Sequence, residues 1–546
     1  MCEVVWIAAV LLSLATGQVQ IEGSYAPEPF TTAQNALRQI PEASFHLPQL
    51  DNHLLRLRAE HERPGPFKFG EAMPVKISMA NGNGAWSLNE QSETRKWRVV
   101  IHSKDAVSLS LLFDDFYLPP DSELYVLGKE SVLGAYTGDI NNKEDGSFAI
   151  QPVPGDTLVL EYIEAAKKGE KTKARISVNK VVHGFRASMM TETAKVNESG
   201  PCNVDVKCPI GQKFRKQIDA VAVMITDQGQ RFCSGVMINN TAMDGAQFFL
   251  TASHCVFTDQ SNFILGFNYQ YSGCRSQGQG GNLQLPQTVQ GLSLVAQYDA
   301  SDFALFLVKE RIPDNYNVFL AGWDNRRLPP RNVATIHHPS GDAKKISIYN
   351  GVTKPASWLE GNSQYHWEVP FWLYGVTEPG SSGSPLFNDK GLVVGHLHGG
   401  QSSCNFKTGY DMYGALWADW AAVPNKSINT VSGFLNPTGR AVLAMPGIYL
   451  KSIANRRIPS VIPIKPLYKV NRPRFLGPAP ARAVDHAPAK DSKADAINDL
   501  SDGDAELEKE LIAEQKIVEQ VVQAQEKPRT GPLCMPACSM GVLLEK

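Results

Sequence analysis

Gly380-Ser381-Ser382-Gly383-Ser384-Pro385 is a short glycine-flanked turn, and its reading decides how the rest of the 546-residue chain is understood. Such a turn can expose the Ser382 hydroxyl and aim the backbone N–H groups of Gly380 and Ser382 at a single point. A serine that attacks a carbonyl also needs an imidazole to take and return its proton, and a shielded carboxylate to orient that imidazole. Upstream, Thr251-Ala252-Ser253-His254-Cys255 follows the apolar run Phe248-Phe249-Leu250, which predicts His254 at a strand end with Cys255 pinning its loop. Ser301-Asp302-Phe303-Ala304-Leu305 opens another apolar run, which predicts Asp302 at the edge of a buried strand. A core histidine and a turn-capping aspartate are each common singly; their coincidence with the serine turn is not.

Around these motifs the chain reads as strands. Ala220-Val221-Ala222-Val223-Met224-Ile225 and Gly391-Leu392-Val393-Val394-Gly395, with Gly and Asn between such runs, predict an all-β block from about 202 to 440. From Trp97 to Glu164, short apolar runs such as Thr157-Leu158-Val159-Leu160-Glu161-Tyr162 alternate with Pro, Gly and Asp turns, predicting a smaller β-rich domain. That stretch has no cysteine and no Ser/His constellation, so it reads as a folding or inhibitory module. Lys167, Lys168, Lys171 and Lys173, then the polar run Thr191 to Gly200, mark the boundary between the two. Beyond Arg440, Pro and basic residues predict an extended linker. Leu507, Leu511, Val518 and Val522 then share one helical stripe, as either a short helix or a solvated tail.

A formal net charge of -2 excludes any bulk electrostatic pull toward nucleic acid or an anionic membrane, so a partner must be recognised locally. Val4 to Leu14 is apolar and Ala15-Thr16-Gly17 is small, which predicts a secretory signal peptide ending near Gly17 and a secreted protein, although Glu3 stands where a basic head is usual. The competing reading is a short membrane anchor, but the run falls well short of the ~20 residues a spanning helix needs. Cys202, Cys208, Cys233, Cys255, Cys274 and Cys404 cluster in one exported block and predict three disulfides rather than zinc ligands. His396-x-His398 and His337-His338 offer metal-binding nitrogens, yet no carboxylate or cysteine completes a ligand set; neither metal nor cofactor is expected. Sequons start at Asn197, Asn239 and Asn425.

The order His254, Asp302, Ser382, with its Thr-Ala-x-His-Cys and Gly-x-Ser-Gly-x-Pro motifs, resembles the chymotrypsin superfamily. The resemblance implies a chymotrypsin-like double β-barrel and a serine endopeptidase. Ser381 stands where trypsin-like enzymes carry the aspartate that pairs with a freed N-terminal amine, so that activation switch is not expected. Val376, six residues before the nucleophile, removes the usual pocket charge.

Closer still, the segment from about 202 to 440 resembles the lysyl endopeptidases. The motifs that carry this are Cys202-Asn203-Val204-Asp205-Val206-Lys207-Cys208, Ala321-Gly322-Trp323-Asp324, Ile336-His337-His338-Pro339, Thr377-Glu378-Pro379-Gly380 and Leu397-His398-Gly399-Gly400. The resemblance implies that Asp411, in Asp411-Met412-Tyr413, binds a substrate lysine, and that His398 and Trp358 form a stacked pair beside the triad. It also implies disulfides Cys202 with Cys404, Cys208 with Cys274 and Cys233 with Cys255, and self-cleavage at Lys195-Val196. Val182-His183-Gly184-Phe185-Arg186 likewise resembles the pro-region of such enzymes. The expected order is a signal peptide (1–17), a pro-region (18–195, β-rich at about 97–164), a protease domain (196–440) and a tail (441–546). The expected partners are lysine-containing polypeptides and the chain's own pro-region. Two other readings stay open: a catalytically silent binding relative, or a protease with a different preference. For Cys534 and Cys538 in the tail, a small loop, an interchain link and removal by trimming remain equally open.

Overall fold

A computed structural model describes residues 24–37, 40, 43–61, 67–90, 92–129, 131–166, 173–186, 199–226, 229–256, 262–275, 283–284, 287–358, 364–421 and 430–453. The expected signal peptide, the Lys195-Val196 bond, the sequons at Asn197 and Asn425, and the tail with Cys534 and Cys538 lie outside these residues. The linker expected from 441 onward does not begin there: Ala444–Met445 pairs with Trp323–Asp324 and Ile448–Tyr449 with Phe319–Leu320, because Met445 and Leu450 are buried in the core of the second body. Among the described residues, no helix is long and apolar enough to cross a membrane.

Two antiparallel-rich sheets build the N-terminal body, and its strands run wider than the 97–164 stretch expected from sequence. One sheet orders Ser44–His46, Thr94–His102, Thr157–Ala165, Ser122–Leu127 and Val132–Thr137; the other orders Gly70–Ser78, Arg175–Gly184, Ser108–Tyr117 and Phe148–Pro154. Register explains the core. Leu158 faces Ile101, Leu160 faces Val99 and Tyr162 faces Trp97, so alternate residues share one apolar face. That face closes on Leu109, Leu111, Phe113 and Phe148 of the second sheet.

The second body is built on two large sheets, with two further two-stranded ones, as expected of an all-β, chymotrypsin-like double barrel. The first orders Gln287–Gln290, Ile264–Phe267, Val221–Ile225, Gln230–Ile238, Phe248–Ala252, Phe303–Val308 and Leu292–Tyr298. The second orders Val204–Asp205, Lys345–Val352, Arg331–His337, Pro385–Phe387, Val393–Gly400, Asp411–Ala415, His366–Val369 and Lys354–Ala356. A shared core of Val236, Leu250, Leu305, Trp323, Ile336 and Val393 packs one sheet against the other. Fully buried strands such as Phe303–Val308 read as continuous apolar runs for this reason. The six cysteines pair as Cys202–Cys404, Cys208–Cys274 and Cys233–Cys255, the pairing the resemblance implies.

The two bodies meet by strand addition. Phe67–Lys68 pairs antiparallel with Gln230–Arg231, and the Phe69 N–H donates to Gly229 O at 2.9 Å. Phe69 is 2% exposed and inserts among Val223, Ile225, Ile264, Tyr269 and Ala343 of the second body. Arg231, wholly buried, donates to Tyr269 OH and Gly341 O while its guanidinium lies against the Phe69 ring. A second tie runs from Ala149 N–H to Gln290 Oε1 at 2.9 Å. Truncating a buried Phe costs about 3–5 kcal/mol. Phe69→Ala, in a chain silenced at Ser382, is therefore expected to lower the denaturant midpoint clearly, whereas Leu88→Ala, at a site 61% exposed, moves it little. Equal shifts for the two would mean that Phe69 does not anchor the seam.

Candidate active site

His254 follows the strand Phe248–Ala252 in a single 3-10 turn, Ser253–Cys255, and Asp302 immediately precedes Phe303–Val308. These strands pair with Ala252 opposite Phe303, so the register itself sets the two side chains together. Asp302 Oδ2 accepts from His254 Nδ1 at 2.8 Å, and Oδ1 accepts the His254 backbone N–H at 2.9 Å. Both carboxylate oxygens hold one histidine, which fixes its ring and its tautomer. Burial disfavours the charged imidazole, but the Asp302 charge and hydrogen bond outweigh it and hold His254 above its usual range. Burial likewise opposes the Asp302 charge, yet His254, followed by His398 and His396, keeps that carboxyl below its usual range.

Ser382 arrives from the other sheet. Ser234 N–H donates to Ser382 O at 2.8 Å, and Ser234 Oγ–H donates to Gly380 O at 2.9 Å, so one residue of the first sheet grips the turn twice. The Cys255 sulfur lies 4.0 Å from Ser382 O, which places the turn against the loop that carries His254. Within the turn, the N–H groups of Ser381, Gly383 and Ser384 are engaged by the carbonyls of Glu378, Leu397 and Ser381. Those of Gly380 and Ser382 have no protein acceptor among the described residues, leaving two donors for an oxyanion. Gly383, at φ +78°, admits no side chain: a Cβ there would lie 2.0 Å from Thr251 Oγ1.

Ser381 is buried, and its hydroxyl bonds His337 Nδ1 at 2.8 Å while accepting the Glu378 N–H at 3.2 Å. Burial, then Lys345, pushes His337 down to about 3, so the ring is neutral. No acidic side chain occupies this place. Instead the segment entering the domain is held by Glu378, whose carboxylate accepts Gly200 N–H at 3.0 Å, Asn203 Nδ2–H at 3.1 Å and Ser340 Oγ–H at 3.2 Å. Next to it, Asp342 Oδ2 accepts the Ser199 hydroxyl at 2.7 Å. Sequence reasoning had no handle on this strap, because its partners lie more than 140 residues apart.

His398 stacks on Trp358 with ring centroids 3.7 Å apart, the pair implied by resemblance. Its Nε2 points to Asp302 Oδ2 at 3.7 Å, and its ring lies 5.8 Å from that of His254. His396, two residues earlier on the same strand, bonds Asp419 at 3.0 Å. His254, Asp302 and His398 also stand close enough together to share an ion. Asp302 is already engaged through both oxygens, and serine chemistry asks nothing of a metal there.

Asp411 is fully buried. Its Oδ2 accepts three side-chain donors: Trp372 Nε1 at 2.6 Å, Thr377 Oγ1 at 2.8 Å and Ser402 Oγ at 2.7 Å. Its Oδ1 accepts only the Ser402 N–H, at 3.3 Å, and a Cβ at Gly400 would sit 2.1 Å from it. Among the described residues no Lys, Arg or His pairs with this carboxylate. Burial, only partly offset by these donors, raises it above its usual range. Val376 is buried as well, its carbonyl accepting the Ser347 hydroxyl at 2.9 Å. Trp372, Thr377 and Ser402 were not singled out from sequence. Only Thr377 lay in a quoted motif, and nothing local marked any of them as Asp411 partners.

Residues 196–414 match the family described as lysyl endopeptidase, C-terminal domain. Over 271 residues, 47% of this chain, the sequence is 29% identical to a lysyl endopeptidase of Pseudomonas aeruginosa, and it spans 57% of that protein's length. A serine endoprotease from Yersinia pestis aligns over 37% of this chain and 61% of its own at 17% identity, with a TM-score of 0.26. A thermostable serine protease, AL20, from an extremophilic microorganism aligns over 36% of this chain and 90% of its own at 15% identity, with a TM-score of 0.27.

Proposed function

We propose, from a chain whose residues 196–414 carry a domain of the lysyl endopeptidase family, that this is the precursor of a secreted serine endopeptidase that cuts after lysine. Ser382 is its nucleophile, His254 its general base and then acid, Asp302 the orienting carboxylate, and Gly380 and Ser382 N–H the oxyanion donors.

The observation that carries the lysine preference is the lopsided bonding of Asp411. With three donors on Oδ2, that oxygen has little left to offer a substrate; Oδ1, beside the bare backbone of Gly400 and engaged among the described residues only by the long Ser402 N–H bond, keeps acceptor capacity. A lysine ammonium is a compact point charge that one oxygen can satisfy, whereas an arginine fork asks for two oxygens side by side. Asp411 thus favours a basic side chain by charge, and lysine over arginine by geometry.

The strap held by Glu378 supports a maturation route without an inserted amine, since the backbone N–H of Gly200 serves in its place. On this reading, cleavage at Lys195-Val196 frees the strap from the N-terminal body, which acts as pro-region and stays seated through Phe69. Digestion of a denatured protein by the processed form is expected to give cuts after lysine almost exclusively. A serine-directed organophosphonate should label Ser382. Cuts spread over arginine or large apolar residues would remove Asp411 from the pocket, and an unlabelled Ser382 would leave only a silent homologue. Intact mass and N-terminal sequencing of the secreted product read the processing site directly.

A further inference from the structure

His366, on the strand His366–Val369, was not marked by sequence and is wholly buried. Its Nε2 lies 2.9 Å from His398 Nδ1, and its Nδ1 has no hydrogen-bond partner among the described residues. Burial pushes His366 down to about 3 and His398 down to about 4, so each ring carries a single proton at working pH. Placed on Nδ1 of His366, that proton would be a buried donor without an acceptor, which is costly. Placed on Nε2, it bonds His398. His398 must then accept through Nδ1 and hold its own proton on Nε2, the atom that faces Asp302 Oδ2 at 3.7 Å.

We propose that His366 is a positioning residue for the serine chemistry, selecting the His398 tautomer whose Nε2–H faces Asp302 Oδ2, the oxygen that His254 Nδ1 also bonds. The inference rests on the triad reading given above and adds a residue that acts only through another. Asp302 Oδ2 is then hydrogen-bonded by His254 and electrostatically faced by His398. Without the His366 donor, His398 is free to turn a lone pair toward the carboxylate. The potential at His254 becomes more negative, and its conjugate acid holds its proton more tightly.

The test compares processed wild type, His366→Phe, His366→Gln and His398→Ala, with His366→Phe also placed in the His398→Ala background, by kcat and kcat/KM on a lysyl amide from acid to alkaline pH. His366→Phe is expected to lower kcat by about tenfold or less, the scale of one hydrogen bond, with KM little changed. Its acid limb should move to higher pH. His366→Gln, whose amide N–H reaches the same point as Nε2–H, should restore most of the rate. In the His398→Ala background the His366→Phe loss should vanish. An undiminished loss in that background, or an unmoved acid limb, overturns the proposal. An inert wild type instead sinks the triad reading and this one with it. Should His366→Phe fail to fold, nitrogen-15 NMR of wild-type imidazoles decides, since a proton on Nδ1 of His398 is incompatible with the assignment.

Discussion

Asp302→Asn is expected to lower kcat by about 10⁴ while leaving the fold intact. Asp302 sits at φ +63°, in the left-handed region that asparagine tolerates at least as well as aspartate, so the turn Asp299–Asp302 and the bond from Ser253 N–H to Asp302 O should survive. What changes is the tautomer. Asp302 now accepts from both the backbone and Nδ1 of His254; an amide must direct its NH₂ to one of them. With the amide nitrogen toward the ring, Nδ1 becomes the acceptor, the proton moves to Nε2, and the base can no longer take the Ser382 proton. The pH profile moves too. His254 is held above its usual range in the wild type, so activity falls as acid protonates it. Without the opposing charge, burial dominates and the acid limb shifts to lower pH. A Tm close to wild type with full activity would refute the assignment of Asp302.

Asp411→Asn is expected to reduce kcat/KM on lysyl substrates by about 10³, in line with the about 3–5 kcal/mol lost when one partner of a buried ion pair is removed. Residual cleavage should no longer favour lysine. Stability should respond in the opposite sense. The carboxyl is raised above its ordinary range, so its favourable contribution is present at acid pH and is lost as the pH rises through the raised value. Once the pH has passed that raised value, the wild type carries a buried charge with no Lys, Arg or His partner among the described residues, and the Asn variant does not. Its Tm at pH 7 is expected to equal or exceed that of wild type. A large fall in Tm with lysine preference retained would show Asp411 to be a structural acceptor instead.

The all-β class was legible because buried strands such as Phe303–Val308 are unbroken apolar runs between turn residues. His254, Asp302 and Ser382 were legible because each sits in a short motif at the end of such a run. Cysteine pairing and the Trp358–His398 stack came only through family resemblance. Trp372, Ser402, His366 and Arg231 were not legible, for a common reason. Each acts on a group brought close by strand register or loop return, and none lies in a local pattern that differs from ordinary core sequence. His366 opposes Gly414 across a strand pair, and Gly414 is in turn the bare spot where a Cβ would meet the His396 ring. The N-terminal body ran wider than expected because Gly70–Ser78 and Arg175–Gly184 mix charged and polar residues among their apolar ones and lack the dense apolar runs of their neighbours.

The Cys202–Cys404 bridge, at a sequence separation of 202, closes the intervening chain into a covalent ring that contains His254, Asp302 and Ser382. Exposed lysines such as Lys207, Lys213 and Lys216 lie within it. An enzyme that cuts after lysine attacks copies of itself at such positions. A single nick inside a closed ring opens it without releasing a fragment, and the Cys208–Cys274 and Cys233–Cys255 bridges keep shorter arcs from peeling away. On the function proposed above, the same cross-links that stiffen the fold make the protein tolerant of its own autolysis.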